Sequence, residues 1–267
     1  MTSASLIPAL EYLSVLLNIA AVLRVVHSGL YRVYPFFFSF LTVSLTLELA
    51  AAVAGTKSRL FFYTYVSLEP LRNVLYILVV WELFSVIFRN YAGLRSLSRW
   101  VMGAAAAIAP IGFVISLAAH GSVYASYSRF VSNVVQFERG VSMGLVVFIL
   151  IMLYFISRYP IKLPRNSVVL CLFYSVWFLI DAMVLLASSF LPRASGRVIV
   201  NVTQALLEIC CYFSWAWLLS RAGEFQETRV RRDIAPDVEE SLIQELNAMN
   251  QMLLRAGRSI SQSRQHR

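Results

Sequence analysis

Carboxylates set deep in apolar sequence are the residues of this chain best placed to do chemistry. Of its 14 Asp and Glu, seven (Glu224, Glu227, Asp233, Asp237, Glu239, Glu240, Glu245) fall in the last stretch, 221–267. The other seven, Glu11, Glu48, Glu69, Glu82, Glu138, Asp181 and Glu208, each lie inside a long apolar run. A carboxylate in the middle of a membrane helix costs at least ~2.5–3.5 kcal/mol on insertion scales, so such groups are expected to face a bundle interior and to take partners. Arg72 and Arg139 are the only basic residues well inside these runs and are the natural counter-ions. An acidic excess of this kind is relieved by protonation, by a cation or by a basic ligand, which is the chemistry the residues point to.

Helical spacing says which polar residues share a face. Glu11, Ser14 and Asn18 recur at intervals of three and four, as do Glu69, Arg72, Asn73 and Tyr76, then Tyr174, Trp177, Asp181 and Ser188, and finally Asn201, Gln204, Glu208, Cys211 and Trp215. Counted at ~1.5 Å per residue from the ends of their runs, Glu11, Glu48, Glu138, Asp181 and Glu208 reach similar depth, with Glu69 and Arg72 just above them. The expectation is one outward-facing polar cavity that binds a small ligand, a cation or protons through Glu11, Glu48, Glu69, Arg72, Tyr76, Glu138, Arg139, Asp181, Gln204 and Glu208. Glu82 lies nearer the inner side and reads as a separate polar step. The competing reading is structural, since the pairs Glu69–Arg72 and Glu138–Arg139 could simply hold helix register.

The elements that must position these groups are transmembrane helices. The chain is 59% hydrophobic and 14% charged, with a mean hydropathy of +0.69, which excludes both an ordinary soluble domain and extensive disorder. Apolar runs long enough to cross roughly 30 Å of hydrocarbon occur at 5–27, 34–55, 67–89, 99–119, 130–157, 167–191 and 198–220. Short polar connections join them, so the predicted fold is all-α: an integral membrane seven-helix up-down bundle over 1–220. Arg24, Arg32, Arg89, Arg95, Arg99, Arg158, Lys162 and Arg165 collect on one side, against Lys57, Arg59, Arg129, Arg193 and Arg197 on the other. The positive-inside rule then puts the N-terminus outside and the C-terminus inside, in a cell inner membrane crossed several times. No basic segment or cleavage site flanks the first run, so it reads as a span and not as a removable signal.

Beyond the bundle the sequence predicts a basic linker over 221–235, a cytoplasmic amphipathic helix over 236–260 and a disordered end over 261–267. Leu242, Leu246, Met249 and Leu253 form the apolar stripe of that helix, with acids in its first turn and Arg255 and Arg258 near its end. The stripe suits either a surface of membrane or bundle, or a cytoplasmic protein partner or second copy of the chain.

Missing residues exclude other classes. The net charge of +9 reflects topology, since no RNP pattern, zinc finger or basic helix accompanies it to bind nucleic acid. The three histidines, His27, His120 and His266, lie at span ends or in the tail, which leaves no histidine-ligated metal or haem site. Lys57 and Lys162 are the only lysines, so the last span offers no Schiff-base lysine for retinal. Cys171, Cys210 and Cys211 read as packing, and no GxSxG, Walker or GxGxxG pattern occurs. The expectation is a non-enzyme with no metal and no cofactor.

Ser67-Leu68-Glu69-Pro70, the stretch from Tyr76 to Glu82, Tyr91-Ala92-Gly93-Leu94-Arg95, Phe137-Glu138-Arg139 and Arg158-Tyr159 also form a pattern. Together they resemble a group of short uncharacterised bacterial seven-transmembrane-helix proteins, over roughly the second to sixth spans. The resemblance implies the architecture and a bacterial inner membrane, and it carries no activity across. The functional expectation is therefore a sensor-like or receptor-like membrane protein, with the cavity facing out and the tail contacting a partner. A proton- or cation-coupled carrier or channel is the alternative, and a non-catalytic membrane scaffold a further one.

Overall fold

The computed structural model describes residues 3–55, 58–88, 141–142, 144–150, 152, 154, 162–188, 193–229, 240–248, 250–252 and 255. Among these the chain is helical apart from one short strand pair. The long helices are α1 (Ser3–His27), α2 (Pro35–Ala54), α3 (Arg59–Ile87), α4 (Arg165–Ser188) and α5 (Arg193–Leu218). A single 3-10 turn, Leu30–Arg32, joins α1 to α2 after Gly29, whose φ of 72° is the left-handed conformation that only glycine adopts without strain. A short helix, α6 (Arg221–Phe225), follows α5. The strand β1 (Lys162–Pro164) then pairs antiparallel with β2 (Glu227–Arg229). Residues 144–150 and 240–248 are also helical.

Ala9–His27, Pro35–Ala54 and Arg59–Ile87 are long and apolar enough to cross a membrane, which marks the chain as a membrane protein. The burial pattern agrees, because it inverts that of a water-soluble fold. Leu16, Leu23, Val53 and Trp217 stand more than half exposed, whereas Asn18, Asn73, Asn166 and Ser167 are fully enclosed. Hydroxyls on the outer surface bond back into their own helices: Ser39 to the Pro35 carbonyl, Thr42 to Phe38 and Thr46 to Thr42. That arrangement satisfies them where lipid could not.

Side-chain contacts fix the directions of the helices. Ser14 meets Glu208 midway along α1, and Arg24 reaches the Leu219 carbonyl near its C-terminal end, so α1 and α5 run parallel. Asp181 meets Gln204 while Asn166 meets Ser220, so α4 and α5 are antiparallel. Phe40 faces Tyr76 with ring centroids 5.1 Å apart while Glu82 reaches Phe36 and Phe37, so α2 and α3 are antiparallel too.

The shared end of these helices is tied by a buried polar knot. The Tyr34 hydroxyl lies 2.9 Å from Ser167 Oγ and donates to Glu224 at 3.0 Å. Burial pushes the Tyr34 phenol well above its ordinary value, so it stays protonated and able to donate. Asn166 Nδ2 donates to the Ser220 carbonyl at 2.8 Å, and Ser220 Oγ caps α6 by accepting from Gly223 N. A Cβ at Gly223 would collide with the Asn166 side chain, so the close approach of α6 to α4 requires glycine there.

Three expectations change here. The third helix does not start at 67 but at Arg59, with Ser58 as its cap accepting from Phe61 N, and it runs straight through Pro70. A start at 67 places Pro70 in a first turn, where proline is at home; the tertiary contacts of α3 override that preference. The basic linker predicted over 221–235 is partly regular structure, α6 and β2, held by the Asn166 and β1 contacts. Lastly, Leu242 and Leu246, expected to bind a partner, are buried in the chain's own hydrophobic core at 8% and 1% exposure. Apolar side chains of an amphipathic helix take the nearest apolar surface, and here the bundle supplies it. Met249, Leu253, 230–239, 261–267 and the predicted fourth span, 99–119, lie outside the described residues, as does much of the fifth.

The buried tail leucines make a checkable statement. Leu246→Ala should lower stability by about 2–3 kcal/mol, read as a drop in the melting midpoint of the purified protein. An unchanged midpoint would mean that the tail helix is not part of the core.

Candidate functional site

The polar groups of five helices meet in one layer, away from the Tyr34 knot. From α1 come Ser14 and Asn18, from α2 Glu48, from α3 Glu69, Arg72 and Tyr76, from α4 Trp177 and Asp181, and from α5 Gln204, Glu208 and Tyr212. Ser142, in the helical stretch before α4, adds a hydroxyl. Each helix contributes these residues at intervals of three or four, so a single face of each turns inward.

The hydrogen bonds divide the layer into two halves. In one, Asp181 accepts from Ser142 Oγ at 2.8 Å and from Gln204 Nε2 at 3.3 Å. In the other, Glu48 Oε1 accepts from Asn18 Nδ2 at 3.1 Å and from the Tyr212 hydroxyl at 2.9 Å. Glu208 bridges toward α1 by accepting from Ser14 Oγ at 3.4 Å. Arg72 pairs with Glu69 one turn away on the same helix.

Between α3, α4 and α5 lies a cavity of about 70 Å³, lined by Arg72, Tyr76, Trp177, Asp181, Gln204, Leu207 and Glu208. A water needs on the order of 10–15 Å³ measured this way, so the space suits a handful of waters, an ion with part of its hydration or a very small polar molecule. Drug-sized or sugar-sized ligands occupy cavities of roughly 300–1,000 Å³ and do not fit. Among the described residues four carboxyl groups, Glu48, Glu69, Asp181 and Glu208, surround one guanidinium, Arg72. Ionised together they would carry a large unbalanced negative charge in a low-dielectric interior, so protons or a bound cation must make up the difference.

An aromatic floor closes the layer on the side of the Tyr34 knot. Trp215, fully buried, lies 5.2 Å from both Phe37 and Tyr174 and 6.3 Å from Trp177, centroid to centroid. Tyr76 and Phe178 continue it at 5.2 Å. All of these rings are less than one-tenth exposed. At these separations the rings are in edge-on and stacked contact with one another.

The structure brings together Glu48, Glu69, Arg72, Tyr76, Asp181, Gln204 and Glu208, all expected in the cavity layer. It does not bring in Glu11, which is exposed beyond Ser14 on α1. Spacing places Glu11 on the Ser14 face, but α1 carries that position past the enclosed layer. Glu138 and Arg139 lie outside the described residues. Glu82 is corrected: its two carboxylate oxygens accept from Phe36 N and Phe37 N, each at 3.0 Å. Those are among the first backbone donors of α2, where Pro35 has no N–H and Tyr34 makes no side-chain cap. An anion at a helix N-terminus is favoured by unpaired N–H groups and the dipole alike, so Glu82 caps α2.

Two contributors escaped the sequence reading. Tyr212 sits one turn from Glu208 and Ser44 one turn from Glu48, so their spacing was a usable signal; tyrosine and serine amid apolar sequence simply stand out less than acids. No family model, curated protein or solved structure matches this chain.

Proposed function

We propose that this chain is a sensor-like membrane protein of seven transmembrane helices, with its N-terminus outside, whose acidic cavity takes up protons or a small cation from the external side. The observation that carries this reading is the layer of four carboxyls around one arginine, opening on a cavity of about 70 Å³ with an aromatic floor beneath it. A binding cavity with, among the described residues, an aromatic layer beneath it suits sensing better than transport. On the far side of the floor, Glu82 is engaged by the backbone of α2 and Glu224 by Tyr34. The Arg and Lys distribution and the resemblance to bacterial seven-helix proteins support the orientation and the inner-membrane location.

The tail is proposed as the output element, held in the bundle core by Leu242 and Leu246 and presenting Ile243 and Met252 outward, where a cytoplasmic partner could engage them. The chain is proposed to work without a cofactor and without catalysis.

Trp177 lines the cavity and reports on it directly. In lipid nanodiscs, tryptophan fluorescence should show a pH-dependent transition that the double change Asp181→Asn, Glu208→Gln removes and that Trp177→Phe silences. Retention of the transition in the double variant would overturn the reading. Proteoliposomes should show no proton or sodium flux above background; flux that depends on Asp181 and Glu208 would make the protein a carrier or channel instead.

A further inference from the structure

We infer that α1, α2 and α3 together hold a monovalent metal cation of sodium type, bound by oxygens of Asn18, Ser44, Glu48 and Asn73. The site adjoins the acidic cavity and shares Asn18 and Glu48 with the surrounding layer, but uses none of the residues that line the cavity. It rests on the membrane-embedded reading of the fold, not on what the cavity binds.

The starting observation is a set of buried oxygen atoms without hydrogen-bond partners. Asn18 Oδ1, Ser44 Oγ, Glu48 Oε2 and Asn73 Oδ1 all lack one among the described residues. Asn18 and Asn73 are fully enclosed and Ser44 is 2% exposed. An unpaired polar atom in such surroundings costs on the order of 1–3 kcal/mol, and native folds seldom carry several together without a ligand for them.

These atoms belong to one neighbourhood. Asn18 Nδ2 donates to Glu48 Oε1, which leaves the other oxygen of each side chain available beside that bond. Ser44 precedes Glu48 by one turn of α2 and shares its face. Phe40, one turn earlier again, faces Tyr76 across the antiparallel α2–α3 contact. One turn outward from that pair, Ser44 comes level with Asn73; a further turn brings Glu48 level with Glu69. The α1–α2 hydrogen bond and the α2–α3 register thus bring the four side chains to a common height.

The donor set selects the ion. Two amide carbonyls, a hydroxyl and a carboxylate are hard oxygen ligands, which suit alkali and alkaline-earth cations and not softer metals. Calcium sites commonly use several carboxylates among six to eight oxygens, whereas Glu48 is the one carboxylate in this set and the nearby Glu69 is held by Arg72. A single negative charge with neutral oxygens around it balances a single positive charge. Tyr212 and Asn18 fix the Glu48 carboxylate from its other oxygen, so the free oxygen is pre-positioned.

The test uses full-length protein in nanodiscs at neutral pH, with choline chloride exchanged for NaCl or KCl at constant ionic strength. Sodium should raise the melting midpoint saturably, by several degrees at on the order of 100 mM, because a ligand that binds only the folded state stabilises it by mass action. Ser44→Ala makes the least disruptive variant, since Ser44 Oγ holds no hydrogen bond to lose. It should retain the fold and lose most of the sodium response, as should Glu48→Gln. Equal midpoints in sodium, potassium and choline would overturn the inference, and so would a full sodium response in both variants. If the sodium shift fails while the pH-dependent Trp177 signal persists, only this site falls. The reverse pattern would sink the cavity reading and leave the cation site standing.

Discussion

Trp215→Ala should lower stability by about 3 kcal/mol and open the aromatic floor. Trp215 is fully buried and touches Phe37, Phe40, Tyr174, Trp177 and Tyr212, so no other side chain meets as many rings in this region. In a water-soluble core, Trp→Ala costs about 3–5 kcal/mol from lost transfer energy and from the void. Lipid is itself apolar, so here the transfer part shrinks and the void dominates, which places the expectation at the lower end of that range. Trp215→Phe keeps a ring and removes the Nε1 donor, which has no partner among the described residues; its loss should stay below about 1.5 kcal/mol. The functional consequence is sharper than the energetic one. A void at Trp215 lies directly beneath the Asp181–Glu208 layer, so the alanine variant should leak protons in proteoliposomes where the native protein does not. A melting midpoint within a degree of native, with no leak, would mean that the floor neither seals nor supports the cavity.

Removal of the Glu82 carboxylate is the second large change. Glu82→Ala strips the backbone N–H groups of Phe36 and Phe37 of their acceptors at the start of α2. Each unsatisfied donor costs about 1–3 kcal/mol, so the pair amounts to roughly 2–6 kcal/mol, reduced to the extent that water reaches the partly exposed Phe36 end. Glu82→Gln keeps one acceptor and turns an amide donor toward the other N–H, so it should fall between native and alanine. Thermal melts of the three proteins would establish the order. The Trp177 fluorescence transition should persist in both variants, because Glu82 lies beyond the aromatic floor from Asp181 and Glu208. If Glu82→Ala abolished that transition without destabilising the fold, Glu82 would be part of a polar path after all.

The contrast between these two residues shows what could be read in advance. The layer containing Glu48, Glu69, Arg72, Asp181 and Glu208 was legible because acids are rare in apolar helices and because their depth follows from counting residues. Glu82 obeyed the same rarity rule, yet its role depends on the N-terminus of a different helix, which no count along α3 reveals. Glu11 shared a predicted face with Ser14 and Asn18, but a face is not an address, and the bundle encloses the last two without the first. The stripe of Leu242 and Leu246 correctly signalled an apolar helix face; whether the chain's own core or another protein covers such a face depends on where the tail returns.

By itself, then, the sequence determined that apolar helices form and which polar side chains stand at a common height. Bilayer thickness and the rise of an α-helix are fixed lengths, so residue numbers convert to depth without knowledge of neighbours. Only the tertiary structure decided which atoms pair: Tyr212 and Asn18 with Glu48, Ser142 with Asp181, and the backbone of α2 with Glu82. Those pairings depend on how each helix is rotated about its axis and shifted along its neighbour. In a chain apolar on nearly every face, hydrophobic periodicity does not set that rotation; close packing and the satisfaction of a few buried polar groups do.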